Sequence, residues 1–173
     1  MLRFQTDGDT PKMPFAFCRS LPFAALALAA ATVPGYALEV TRSADIAAPP
    51  AKVWQTIGEF CGIGDWHPAI EKCVLSDKDG MKVRTLSLKG GGTIKEEQVS
   101  RDDKVMSYTY TILESPLPVS DYKSTLSVAP AESGSKVTWT GTFNAKGAPD
   151  TVAKDAIQGI YDSGLKAISE KAK

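Results

Sequence analysis

From residue 69 onward the chain alternates apolar and polar positions in short runs, each closed by a cluster of turn-forming residues. The runs cover residues 69–76, 81–89, 93–100, 105–114, 120–129 and 136–145. Between them lie Asp77-Lys78-Asp79-Gly80, Gly90-Gly91-Gly92, Arg101-Asp102-Asp103-Lys104, Ser115-Pro116-Leu117-Pro118 and residues 130–135. Connections this short between successive strands predict an antiparallel meander. A further strand, residues 38–47, precedes the others with a looser alternation and stops at Pro49-Pro50.

Three segments break this period. Residues 51–58 place Val53, Trp54 and Ile57 on one side directly after the proline pair, which predicts a short helix with Gly58 at its end. Residues 60–68 form a glycine-punctuated turn or second short helix, because Phe60, Ile63 and Trp66 are too apolar for a free surface loop. The longest helix closes the chain, over residues 149–171. There Val152, Ala156, Ile157, Ile160, Tyr161, Leu165 and Ile168 recur at three- and four-residue steps opposite a charged face. Such a stripe is buried most simply against one face of an antiparallel sheet, so the expected class is α+β. Gly159 and Gly164 lie inside this helix, each at a cost of about 1 kcal/mol relative to Ala. Room for a close neighbour and mere tolerance are both open readings.

Composition narrows the function classes. The 173 residues carry 20 Lys and Arg against 20 Asp and Glu, which argues against a nucleic-acid partner and against a polybasic membrane contact. The first forty residues differ in character: Arg19 precedes an apolar run over residues 21–31, and Gly35 and Ala37 supply the small residues of a cleavage site. This predicts a cleaved export signal over residues 1–37, a single domain over 38–173 and a periplasmic location. The run is short and Ala-rich for a bilayer span of ~20 residues; an uncleaved anchor is the alternative, and no stable membrane span is expected after cleavage. Met1 and Met13 both stand as starts. Cleavage removes Cys18 and leaves Cys61 and Cys73 in a compartment that permits disulfides; a bridge between them and a pair of small apolar residues are both open.

Chemical motifs are sparse. With one histidine and no Cys-x-x-Cys, no metal site is expected, and no cofactor motif occurs. Neither a Gly-x-Ser-x-Gly, a phosphate-binding loop nor a dinucleotide fingerprint is present, so no catalytic residue is assigned.

The order of several short signatures nevertheless resembles a known group. They are Ala48-Pro49-Pro50-Ala51-Lys52-Val53-Trp54, the stretch from Phe60 to Trp66-His67-Pro68, Cys73 before the Gly80 turn, Gly90-Gly91-Gly92 before Glu96-Glu97, and residues 117–124. With the terminal helix, they resemble the START-like, birch-pollen-allergen-like superfamily of polyketide cyclases/dehydrases and lipid-transport proteins over nearly all of residues 38–171. The resemblance implies a helix-grip fold: a seven-stranded antiparallel sheet curled around the long C-terminal helix, two short helices between strands 1 and 2, and a cavity between sheet and helix. Residues 60–73 and 121–124 are also similar to plant abscisic acid receptors. The triglycine loop and Leu117-Pro118-Val119 lack the gate and latch residues of those receptors, so hormone sensing is not implied. The Asp65-Trp66-His67-Pro68 motif and the export signal resemble exported bacterial members of the MxaD type, which implies an accessory role.

Strand parity, helped by the resemblance, gives the expected lining. Parity places Tyr108 and Tyr110 with Met106 and Ile112 on one face, and Trp139 with Val137, Gly141 and Phe143 on another. The resemblance implies that Arg84, Leu86 and Leu88 face inward on the third strand and Tyr122 and Ser124 on the sixth. The terminal helix contributes Tyr161. On the fourth strand parity is ambiguous, and Glu97 is preferred over Glu96 as the inward acid. In the family arrangement Glu71, Arg84 and Glu97 come from neighbouring strands, as an internal ion pair or as polar ligand groups. Trp66, His67, Gly91 and Leu117 are expected at the mouth, and His67 either acts as an acid or base or fixes its loop by a hydrogen bond.

These readings lead to a periplasmic protein that binds a small apolar or amphipathic ligand. Two alternatives accompany it: an accessory protein of a periplasmic dehydrogenase or cytochrome, and a cyclase- or dehydratase-like enzyme.

Overall fold

The computed structural model describes residues 37–173, so residues 1–36, which hold most of the predicted export signal, lie outside the described residues. The chain order is β1 (Leu38–Ile46), α1 (Pro50–Ile57), α2 (Ile63–Trp66), β2 (Ile70–Lys78), β3 (Met81–Leu88), β4 (Thr93–Asp102), β5 (Ser107–Glu114), β6 (Val119–Ala131), β7 (Gly134–Ala145) and α3 (Asp150–Lys171). The strands form one antiparallel sheet in the order β1-β7-β6-β5-β4-β3-β2. Six strands thus meander, and β1 returns to pair with the last of them. The expected seven-stranded helix-grip architecture is the one observed.

Turn chemistry closes the hairpins. Asp79 and Gly80 both take positive φ between the paired residues Lys78 and Met81, the two-residue turn whose twist matches that of the strands. At the other end of the sheet, β6 runs through Pro130 to Ala131, two residues beyond its expected stop. The Val128 N–H donates to the Met106 carbonyl, and β5 begins only at Ser107. Pro130, two residues further on, would aim its missing N–H at the same edge, where no strand remains to be paired.

Strand alternation gives the sheet an apolar concave face. Tyr108 and Tyr110 of β5, Tyr122 and Leu126 of β6, and Val137, Trp139 and Phe143 of β7 are buried on it. Across this face lies α3, roughly 33 Å long at the standard helical rise. It buries Ala153, Ile157, Tyr161, Leu165 and Ile168, and packs on β1, β7, α1 and α2. Val152, expected in the stripe, is 50% exposed, and Ala153 takes the buried place in that first turn.

The two helical glycines divide the open readings between them. A Cβ on Gly164 would lie 2.7 Å from the Trp139 ring, 2.9 Å from His67 and 3.2 Å from Trp66, so only glycine lets α3 settle on that aromatic cluster. Nothing lies within 4 Å of a Cβ on Gly159, where glycine is tolerated and not required.

Two devices anchor the N-terminal helices. Helix α1 begins at Pro50 and stops at Gly58 with φ +69°, and its Trp54 indole donates to Asp103 Oδ1 at 2.9 Å. Arg101 lies over the Trp54 ring at 4.6 Å and donates to the Gly58 carbonyl at 2.9 Å, which ties the β4–β5 turn to α1. Cys61, just before α2, is disulfide-bonded to Cys73 of β2 with their Cα atoms 5.6 Å apart. Of the two open readings for these cysteines, the bridge is the one present.

Candidate functional site: an apolar cavity backed by a buried ion pair

Sheet and helix do not meet everywhere. Between them is a cavity of about 420 Å³. Leu86 and Leu88 of β3, Ile94 of β4, Ile112 of β5 and Ile157 and Ile160 of α3 make most of its wall. Ile63, Ala69 and Ile70 close one side, while Lys89, Gly90, Gly91 and Leu117 lie at the loops. Its polar side chains are few: Glu96, Tyr110, Tyr122 and His67, with Lys89 at the loops.

The expected residues separate into two sets. Leu86, Leu88, Tyr110, Tyr122, Trp139, His67, Gly91 and Leu117 line the cavity. Arg84, Tyr108, Ser124, Tyr161 and Trp66 do not; they are buried around it. Trp66, expected at the mouth, is held inside by its indole N–H, which donates to the Ile57 carbonyl at 3.1 Å.

Glu97 requires correction. Glu96 pairs directly with Arg84 in the β3–β4 register and shares its inward face, whereas Glu97 pairs with Val83 on the other face. The β3–β4 register is unbroken here, so ordinary alternation from the buried Ile94 turns Glu96 inward and Glu97 outward. Val99, five positions from Ile94, falls on the outward side and is 45% exposed. Glu71, the third member of the expected cluster, is exposed on β2. The acid that sequence reasoning passed over was signalled by Ile94: an apolar residue two positions before Glu96 sets the inward parity.

Arg84 is fully enclosed. Its Nε donates to Glu96 Oε2 at 2.5 Å, its Nη1 donates to the Phe60 carbonyl, and its guanidinium sits 4.1 Å over the Phe60 ring and 5.0 Å over the Tyr110 ring. Burial works to lower its pKa, but the Glu96 carboxylate and the surrounding tyrosines outweigh burial and raise it, so Arg84 is a permanent cation. Nη2 has no hydrogen-bond partner among the described residues. Only Oε2 of Glu96 is engaged by the arginine; Oε1 makes no hydrogen bond among the described residues, and its residue lines the cavity.

A chain of hydroxyls crosses the sheet beside this pair. Ser124 Oγ donates to the Thr140 carbonyl at 2.8 Å, so the Tyr161 hydroxyl, 2.9 Å away, donates to Ser124. Tyr161 therefore accepts from Tyr122 at 2.5 Å, and Tyr122 accepts from Tyr110 at 3.4 Å. The Trp139 indole starts the chain by donating to Tyr110 at 3.1 Å. Every proton is thus assigned by elimination. Gly141 makes the chain possible, since a Cβ there would collide with the Tyr161 hydroxyl. Burial pushes Tyr110 and Tyr122 well above the ordinary phenol pKa and Tyr161 up to about 12, so all three are neutral hydrogen-bonding groups near neutral pH.

His67 is held at both ring nitrogens. Nδ1 accepts from the Ala69 N–H at 3.2 Å, which leaves Nε2–H to donate to the Ile160 carbonyl of α3 at 3.1 Å. Burial holds its pKa below the ordinary value, the charge of Arg84 adds to the effect, and the Ile160 bond opposes it. Of the two readings of His67, this geometry is that of a loop-fixing residue. No cluster of three or more metal-ligating side chains occurs among the described residues. Nor is any described helix long and apolar enough to cross a membrane.

A sheet that grips a long helix over a ligand-sized cavity defines the helix-grip class, and comparison with known proteins agrees. The model of the polyketide cyclase/dehydrase and lipid transport family matches residues 37–173, and the chain belongs to that family, within the START-like superfamily. Among solved structures it is similar to XoxI of Bacillus cereus, at 38% identity over 77% of this chain and 94% of that one, with a TM-score of 0.73. A protein of Bacillus thuringiensis is 37% identical over 78% of this chain and 98% of that one, with a TM-score of 0.72. The ZhuI aromatase/cyclase of Streptomyces sp. R1128 shares the fold at 18% identity and a TM-score of 0.64, over 79% of this chain and 94% of that one. No curated protein matches.

Proposed function

We propose that the protein binds a small, largely apolar molecule in the cavity between the sheet and α3, and that it does so after export to the periplasm. The observation that carries the binding reading is the cavity: about 420 Å³, walled mostly by leucine and isoleucine side chains, with few polar residues, among them Glu96, Tyr110, Tyr122 and His67. Core packing alone leaves few voids larger than a water molecule, so a space of this size retained beside an enclosed ion pair favours a ligand. Family membership supports the same reading, since lipid transport is among the activities in the family's description. The apolar run over residues 21–31 supports export, and the Cys61–Cys73 bridge suits an oxidising compartment.

Native mass spectrometry of the protein purified from periplasm, followed by identification of what is released on denaturation, tests both parts. A bound small molecule and a mass that begins near residue 38 are expected. Retention of residues 1–36 in the mature mass would refute processing at this site.

A second reading, proton transfer of the cyclase or dehydratase type, is favoured by one feature: the unengaged Oε1 of Glu96 beside Tyr110. It requires turnover that is lost in Glu96→Gln.

A further inference from the structure

We infer that the cavity selects an uncharged ligand bearing a hydrogen-bond donor next to an acceptor, the chemistry of a carboxamide or lactam on an apolar ring body. This deepens the binding reading and rests on it.

The first step concerns charge. Glu96 and Arg84 neutralise each other at 2.5 Å, and the guanidinium is sealed behind Phe60 and Tyr110. A ligand carboxylate entering the cavity meets the Glu96 oxygen with no free cation beside it. A ligand ammonium meets a carboxylate already paired. In either case a second charge lies unpaired in an apolar site, which strongly disfavours it. Lys89 does not alter this, because it is exposed at the loop and its charge is solvated.

The second step concerns which hydrogen bonds remain to be made. Glu96 Oε1 can only accept. The Tyr122 hydroxyl proton is committed to Tyr161 at 2.5 Å. The Tyr110 proton is not held so firmly, since its bond to Tyr122 is the longest in the chain at 3.4 Å. A ligand acceptor that approaches within ordinary hydrogen-bond distance therefore competes well for the Tyr110 proton. Tyr122 then keeps its bond to Tyr161, and the rest of the chain is undisturbed.

The third step is placement. Glu96 stands opposite Ile112 in the β4–β5 register, and Tyr110 is two residues along the same strand on the same face. Diagonal neighbours of this kind lie about 7–8 Å apart, a gap that one planar group with a donor and an acceptor on the same carbon can bridge through two side chains. Leu86, Ile94, Ile112 and Ile157 leave the remainder of the ligand an apolar surface.

The test uses a neutral fluorescent probe, N-phenyl-1-naphthylamine, and four competitors with one ring body. They are naphthalene-2-carboxamide, 2-naphthoate, 2-naphthylmethylammonium and 2-methylnaphthalene. The carboxamide should displace the probe at about tenfold lower concentration than any of the other three. Tyr110→Phe should abolish most of that advantage while leaving the affinity of 2-methylnaphthalene unchanged. Naphthoate or the ammonium matching the carboxamide would overturn the inference, as would a carboxamide no better than 2-methylnaphthalene. The ranking on the unmutated protein decides the matter even where Tyr110→Phe does not fold. Failure of the probe itself to bind would instead remove the binding reading on which the inference rests.

Discussion

Arg84→Met tests whether the enclosed ion pair is held by its own partners or by its setting. The substitution keeps the volume of the aliphatic stem and leaves the Glu96 carboxylate, 5% exposed, without its cation. Glu96→Gln makes the converse change and strands a guanidinium that is fully buried. Breaking a buried pair from one side costs about 3–5 kcal/mol, far more than an exposed bridge such as Lys95–Glu114. For about 140 folded residues the unfolding entropy near 60 °C is roughly 0.3 kcal/mol/K, so each single substitution should lower Tm by about 10–17 °C. Removing both charges together, as Arg84→Met with Glu96→Leu, leaves nothing stranded and should restore most of the loss. Urea unfolding followed by circular dichroism, on the two single variants and the double, measures the coupling. Two single changes that each cost under about 1 kcal/mol and simply add would refute the reasoning, because the charges would then be solvated and not mutually dependent.

Three further outcomes follow from the same geometry. His67 has its pKa held low chiefly by burial, so the unfolded chain protonates first as the pH falls; stability is full above about 6.5 and declines below it, and a urea midpoint that does not move between about pH 7 and 5.5 would contradict this. Tyr161, raised by burial to about 12, gives the opposite sign: stability holds up to about pH 10 and falls from there toward 12, so ultraviolet absorbance should show its tyrosinate appearing with unfolding and not before it. Gly159→Ala should stabilise α3 by about 0.5–1 kcal/mol, whereas Gly164→Ala should destabilise the domain because its methyl meets Trp139, His67 and Trp66; thermal melts in which both variants gain would show that the cluster yields.

How far the sequence could be read depended on what each signal measures. Alternation and helical period report burial, so Tyr108, Tyr110, Trp139 and Phe143 and the stripe from Ile157 to Ile168 were legible as core positions. Which of those inward residues line a cavity was not legible, because that depends on space left between elements. Tyr108 and Ser124 have the same parity as Tyr110 and Tyr122, and Tyr161 lies in the buried stripe of α3, yet all three fill the volume around the cavity. The choice between Glu96 and Glu97 failed for a different reason. Ile94 and Val99 are both apolar and five positions apart, so they gave contradictory parities along one strand, and the burial of Ile94 with the exposure of Val99 is what decides for Glu96. Gly164 could be flagged as costly in a helix, but its cause lies in Trp139, 25 positions earlier in the chain and on another element.

The pairing of β1 with β7 has a bearing on when the domain becomes stable. Among the described residues the first strand has β7 as its one neighbour in the sheet, and α3, which covers β1, is made after all seven strands. A growing chain that stops short of Gly134 offers β1 no edge to join. Closing that loop of nearly a hundred residues is a late and entropically costly event. The gripped helix therefore completes the domain: until it is synthesised the apolar face of the meander has no helix to cover it.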